Sequence, residues 1–173
     1  MGVIIELTEA KRRIKKLESE VNKLQVKLTP PEAPTVKGKI LGTELLQLLS
    51  SVFPHYVDKI YLSDNEYEIT AISELRKFID WDNTNAYPYV AEIHDCDDFA
   101  EALSGSFAKH PGWSGFPVTD LWGSYGGGHA FFIAVAWSSF EDRAPSIFYV
   151  EPQNDWEIGK ESVEGMELWL LAM

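Results

Sequence analysis

An α+β domain, with helices packed on an antiparallel sheet and a helical rod in front, is the fold class that this 173-residue chain predicts. Three observations carry it. Apolar residues recur every three or four positions through residues 1–28, the spacing of a coiled-coil seam. Apolar runs of helical length fill the middle of the chain. Runs of strand length and composition crowd its last third. Helices first and strands later place the helices against an antiparallel sheet.

The rod comes first. Leu7, Ile14, Val21 and Leu28 take the a positions of a heptad, and Val3, Ala10, Leu17 and Leu24 take d. The other faces carry mostly Lys, Arg, Glu, Gln and Ser. Nearly four heptads give a helix of roughly 39 Å at about 1.5 Å per residue. A narrow apolar seam is not stable alone, so residues 1–28 are expected to self-associate as a dimer or trimer. In a parallel pair Glu6 faces Lys11 and Arg13 faces Glu18, while an antiparallel pair brings Arg13 to Glu20, so orientation stays open. Thr29-Pro30-Pro31-Glu32-Ala33-Pro34 stops the helix, and residues 29–37 read as a semi-rigid linker. Residues 38–173 form the globular domain.

Within that domain Ile40 to Phe53 reads as a well-buried helix. Ile60 to Leu62 and Tyr67 to Ile69 read as short strands around a Ser-Asp-Asn turn, and Ile72 to Ile79 as a second helix. Ala86 to Val90 is loop. Asp95 is placed to cap a helix from Cys96 to about Ala108 that buries Phe99, Leu103 and Phe107. Ala130 to Trp137, Ile147 to Val150 and Leu168 to Ala172 have strand composition. No internal repeat is present.

Composition excludes several functions. A net charge of -12 argues against binding nucleic acid through phosphates and against an anionic membrane surface. One cysteine allows no internal disulfide, and a free thiol suits a reducing compartment. The chain shows no signal peptide and no apolar run long enough to span a bilayer, so a cytoplasmic location is expected, with association to a virus particle as the alternative.

The chemistry gathers around Cys96. With Asp95 as cap, the thiol lies in the first turn of a helix, where unpaired amides and the helix dipole favour a thiolate. Asp95, Asp97 and Asp98 oppose that charge, so a close imidazolium is needed. His129 follows three glycines and opens an apolar strand, which suits a fixed base; His94 is too near in sequence, and His55 and His110 have no motif around them. Glu151 ends an apolar strand and is the first choice to orient the imidazole, with Asn154 second. The competing reading makes Cys96 a buried apolar residue and Glu151 to Asp155 an ordinary turn. His94, Cys96, Asp97 and Asp98 match no zinc spacing, so neither metal nor cofactor is expected. Six tryptophans should be mostly core, with Trp113, Trp122 and Tyr125 in a glycine-rich region as candidate groove residues.

Three motifs resemble a known family. Cys96-Asp97-Asp98-Phe99-Ala100 resembles the helix start of bacterial transglutaminase-like cysteine proteases of the papain-like superfamily. His129-Ala130 resembles their histidine strand, and Tyr149-Val150-Glu151 the strand that ends in their acid, although that family usually has Asp there and an export signal. The resemblance implies a papain-like α+β fold with Cys96 as nucleophile, His129 as base and Glu151 as orienter. The same motifs are similar to small uncharacterised phage and prokaryotic proteins. The expected function is a thiol hydrolase or acyltransferase acting on amide bonds of a peptide or protein, displayed on an oligomer. The alternative is a non-catalytic module of the same fold that binds a peptide or a carbohydrate.

Overall fold

The computed structural model describes residues 9, 11–21, 29–124, 127–163 and 165–173. The chain divides into two compact units, residues 1–31 and 32–173. In the first, residues 11–21 are helical. Lys16 pairs with Glu20 one turn away at 3.9 Å, and Ile14, Leu17 and Val21 are each about half exposed. These residues form one helix with an exposed apolar stripe and show no coiled coil among the described residues, so the coiled-coil element of the expected fold class is corrected. Heptad positions 3, 7, 10, 24 and 28 lie outside the described residues.

The second unit has three layers. Its central sheet has six strands in the order β2-β8-β4-β5-β6-β7: β2 (Ile60–Tyr61), β4 (Val118–Ser124), β5 (Gly128–Trp137), β6 (Pro145–Glu151), β7 (Trp156–Ile158) and β8 (Glu167–Ala172). All pairings are antiparallel except β2 with β8. One face is covered by α1 (Gly42–Val52) and a two-stranded sheet of β1 (Gly38–Leu41) and β3 (Glu66–Ile69). The other is covered by α2 (Ile72–Trp81) and α3 (Cys96–Lys109).

Side-chain alternation along β5 explains the layering. Ile133, Val135 and Trp137 point to the α1 side, where Leu45, Leu49, Leu121, Leu168 and Leu171 complete one core. Phe132, Ala134 and Ala136 point to the α2–α3 side, where Leu75, Phe78, Leu103, Phe107 and Trp113 complete a second. The small alanines admit an aromatic cluster there. Phe78 lies 4.1 Å from Phe107 and 4.9 Å from Trp113 between ring centroids. Both faces of β5 are buried, so the strand reads as an apolar run without a polar side.

Two local expectations change. Ile40 and Leu41 belong to β1, not to the following helix, because they pair with Tyr67 and Glu66. The switch comes at Gly42: its amide bonds the Asn65 carbonyl at 2.8 Å, and a Cβ there would lie 2.8 Å from the Asp64 carbonyl. The strands near 60 and 67 are not a hairpin. β2 joins β8 in the large sheet, and β3 joins β1 in the small one. β4 and β7 are additional strands in stretches for which the sequence suggests no element.

Candidate functional site

The start of β5 gathers most of the expected residues. Asp95 caps α3 as expected, with a reciprocal bond from its own amide to the Asp98 carboxylate at 3.2 Å. Cys96 therefore sits in the first helical turn, half-buried, with its sulfur near the Ala130 amide. Burial nevertheless pushes the thiol above its ordinary value, reinforced by Asp95 and Asp97 and opposed by the Ala130 and Asp97 amides. Burial and like charge thus outweigh the helix terminus.

The ligand atoms of Asp95, Cys96 and Asp97 lie within 4.8 Å of one another. The two carboxylates share a hydrogen bond, which lowers Asp95 and, acting before burial, raises Asp97. Two hard oxygens beside a soft sulfur form a mixed donor set suited to no single metal class.

His129 and Glu151 come together. Nε2 of His129 lies 2.9 Å from Oε2 of Glu151, and because a carboxylate only accepts, Nε2 carries the hydrogen of this bond, which leaves Nδ1 as the nitrogen that can accept. His129 also meets Phe131 edge-on at 4.3 Å between ring centroids. Phe131 packs on the α1 side, and Cys96 reaches the strand at the Ala130 backbone. Asn154 is a turn residue: its amide bonds the Glu151 carbonyl at 3.2 Å, and its Oδ1 accepts from the Trp156 amide at 3.0 Å. His94 lies between the rings of Tyr87 and Phe99, 5.9 and 4.4 Å away. His110 packs on Phe78 and Trp81.

Two tryptophans complete the surface. Trp156 is cross-strand partner to Glu151 and is 72% exposed. Trp169 is the extra residue of a bulge, since Leu168 and Leu170 face the consecutive residues Gly123 and Trp122. A bulge re-aims a side chain, and the Trp169 indole is left 48% exposed against Gly128. A Cβ on Gly128 would lie 3.1 Å from that ring, so glycine lets the indole rest on bare backbone beside His129. Trp113, a candidate groove residue, is instead core at 2% exposure. Trp122 is half-buried and donates to Asp120, and Tyr125 lies outside the described residues. Asp155, in the turn between β6 and β7, accepts from Asn85 and is pushed up to about 6 by burial first and then by Asp82 and Asp80.

No protein-family model and no curated protein matches this chain. Solved structures are similar to it, these two among them. One is PSL1a in complex with E64, 24% identical with a TM-score of 0.63, over 78% of this chain and 50% of that one. The other is the Polyporus squamosus lectin bound to the human-type influenza-binding epitope Neu5Acα2-6Galβ1-4GlcNAc, 23% identical with a TM-score of 0.62, over 78% of this chain and 49% of that one. At these identities the likeness is one of fold, and the chain spans about half the length of the structures it matches.

The comparison corrects the family expectation. These two solved structures are of a lectin, so the transglutaminase-like and papain-like assignment, with its cysteine-protease and hydrolase reading, is set aside. What stands is a mixed α+β fold with a six-stranded sheet. Among the described residues no helix is long and apolar enough to cross a membrane.

Proposed function

We propose that this chain is a non-catalytic carbohydrate-binding module whose ligand surface is formed by Gly128, His129, Glu151, Trp156 and Trp169. One observation carries the reading: the half-exposed Trp169 indole lies on Gly128, next to the His129–Glu151 pair. An open indole stacks against the C–H face of a pyranose, and the imidazole and carboxylate beside it exchange hydrogen bonds with hydroxyls. The lectin fold supports the same reading, and the raised thiol supports its non-catalytic half. A glycan, not the peptide or protein expected from the motifs, is then the ligand. The test is a broad glycan array followed by calorimetry with the Neu5Acα2-6Galβ1-4GlcNAc trisaccharide and Galβ1-4GlcNAc, for wild type and Trp169→Ala. Saturable binding lost in the variant is expected. An array without a bound sugar, or binding untouched by the substitution, overturns the proposal.

A second reading makes Cys96 a nucleophile, with His129 as base, Glu151 as orienter and Asn154 in reserve. The His129–Glu151 hydrogen bond favours it, because it fixes the ring with Nδ1 as proton acceptor. E64, which PSL1a binds, is the probe. Covalent labelling of Cys96 that disappears in His129→Ala supports this reading, and an unlabelled thiol removes it. Self-association belongs to either reading: the open stripe of Ile14, Leu17 and Val21 packs against further copies of the chain, as a dimer or trimer, and presents two or three sites per particle.

A further inference from the structure

A cavity lies at the far end of the sheet. It encloses about 540 Å³ between β1, α1 and the turn that joins β5 to β6. Its wall includes Trp137, eight residues along β5 from His129. At about 3.4 Å per residue, roughly 27 Å separate the two ends, so this cavity is distinct from the proposed sugar surface.

Ile40, Leu48, Ile69 and Trp137 give it an apolar floor, and Gln47 and Arg143 stand at its rim. The indole is seated on Gly38, where a Cβ would lie 2.7 Å from Cζ2 of Trp137. The Arg143 guanidinium lies 5.1 Å from the Trp137 ring centroid, and its Nε donates to the Phe140 carbonyl at 3.3 Å. These contacts fix the plane of the guanidinium and leave its Nη groups for a ligand.

The other charges in the cavity are engaged. Lys39 pairs with Glu66 on β3. Glu44 accepts from the Leu41 amide at 3.0 Å, where it caps α1. Among the described residues no carboxylate pairs with Arg143, in a chain whose net charge is -12. A fixed cation over an apolar floor calls for an anion with an apolar body, and the planar fork suits a carboxylate held by two parallel bonds.

We infer that this cavity binds a small carboxylate with an aromatic or aliphatic body, its acid on the Nη groups of Arg143 and its body on Ile40, Ile69 and Trp137. Calorimetry on the full chain with indole-3-acetate, with indole-3-acetamide, and with N-acetylneuraminic acid as a polar carboxylate tests it. Arg143 is exposed, so Arg143→Gln leaves the fold intact. Loss of a charge-assisted bond weakens binding about tenfold or more. That loss is expected both for the amide on wild type and for the acid on Arg143→Gln. Equal affinity of acid and amide, no effect of Arg143→Gln, or no saturable binding of the acid overturns the inference. Tighter binding of N-acetylneuraminic acid than of indole-3-acetate overturns its apolar half.

Discussion

Asp155→Asn should change how stability depends on pH, and the size of the change follows from the turn that holds the side chain. Asp155 has φ 59° and lies between β6 and β7. It faces Asp80 in the last turn of α2 and Asp82, the residue that ends that helix. The carboxylate-rich end of α2 is also the negative end of its dipole. Asn85 donates a hydrogen bond that favours the charged form, yet burial and the two aspartates prevail, and Asp155 rises from 3.8 to about 6. A carboxyl whose folded value is raised adds stability that is fully present below its unfolded value and is lost as pH rises through its folded value. The window is therefore about pH 4 to 7. The full shift corresponds to about 3 kcal/mol. Because half of the group still meets solvent, screening reduces this to about 1 kcal/mol. Asparagine keeps the left-handed backbone and the bond to Asn85 while removing the charge. Urea unfolding of both proteins at intervals between pH 4 and 8 is the assay. The variant should gain about 1 kcal/mol on wild type between the two ends of the window, with the gain complete by pH 7. Parallel stability profiles across the window would refute the assignment of the raised carboxyl to Asp155.

Three further outcomes are expected. The Cys96 thiol should alkylate slowly at neutral pH and titrate above its ordinary value, measured as iodoacetamide rate against pH, because burial and Asp95 and Asp97 hold it protonated; a rate that plateaus below pH 7 contradicts this. Asp95→Ala removes the cap of α3 and should cost about 1 kcal/mol in chemical denaturation; no change would show that the helix start is held by other contacts. Leu17→Glu should convert a self-associated chain to a monomer in light scattering, with the melting of residues 32–173 unchanged, because the substitution places charge in the open stripe; an unaltered mass removes that stripe as the interface.

The sequence is legible where the decisive interactions are local. Asp95 announces α3 because a cap needs only the next three residues. His129 and Glu151 each stand where an apolar run meets polar sequence, and the sheet brings them within hydrogen-bonding distance. Pairing across the chain is a different matter. Ile60 finds its partner at Leu171 and Lys39 at Glu68, so a nearby turn wrongly suggested a hairpin, and the recurring apolar residues from Ile40 to Phe53 hid the strand at their head. Trp169 was missed because Leu168-Trp169-Leu170-Leu171 reads as buried strand. The register shift opposite Trp122 and Gly123 turns it outward, and nothing in its immediate neighbours signals a shift. At the thiol, the helix start and the opposing Asp95 and Asp97 are legible in the sequence, whereas burial, the largest cause of the raised Cys96, is not.

The double duty of β5 has a consequence for how the domain opens. Phe132, Ala134 and Ala136 hold one core, and Ile133 and Val135 hold the other. The helices on either side cannot detach without uncovering a strand that still anchors the opposite layer. Local opening is therefore confined to the rims, and the amides of β5 exchange with solvent only when the whole domain unfolds. Deuterium uptake at Phe132 to Val135 thus reads the global stability directly, while uptake in the loop before α3 reports rim fluctuations alone.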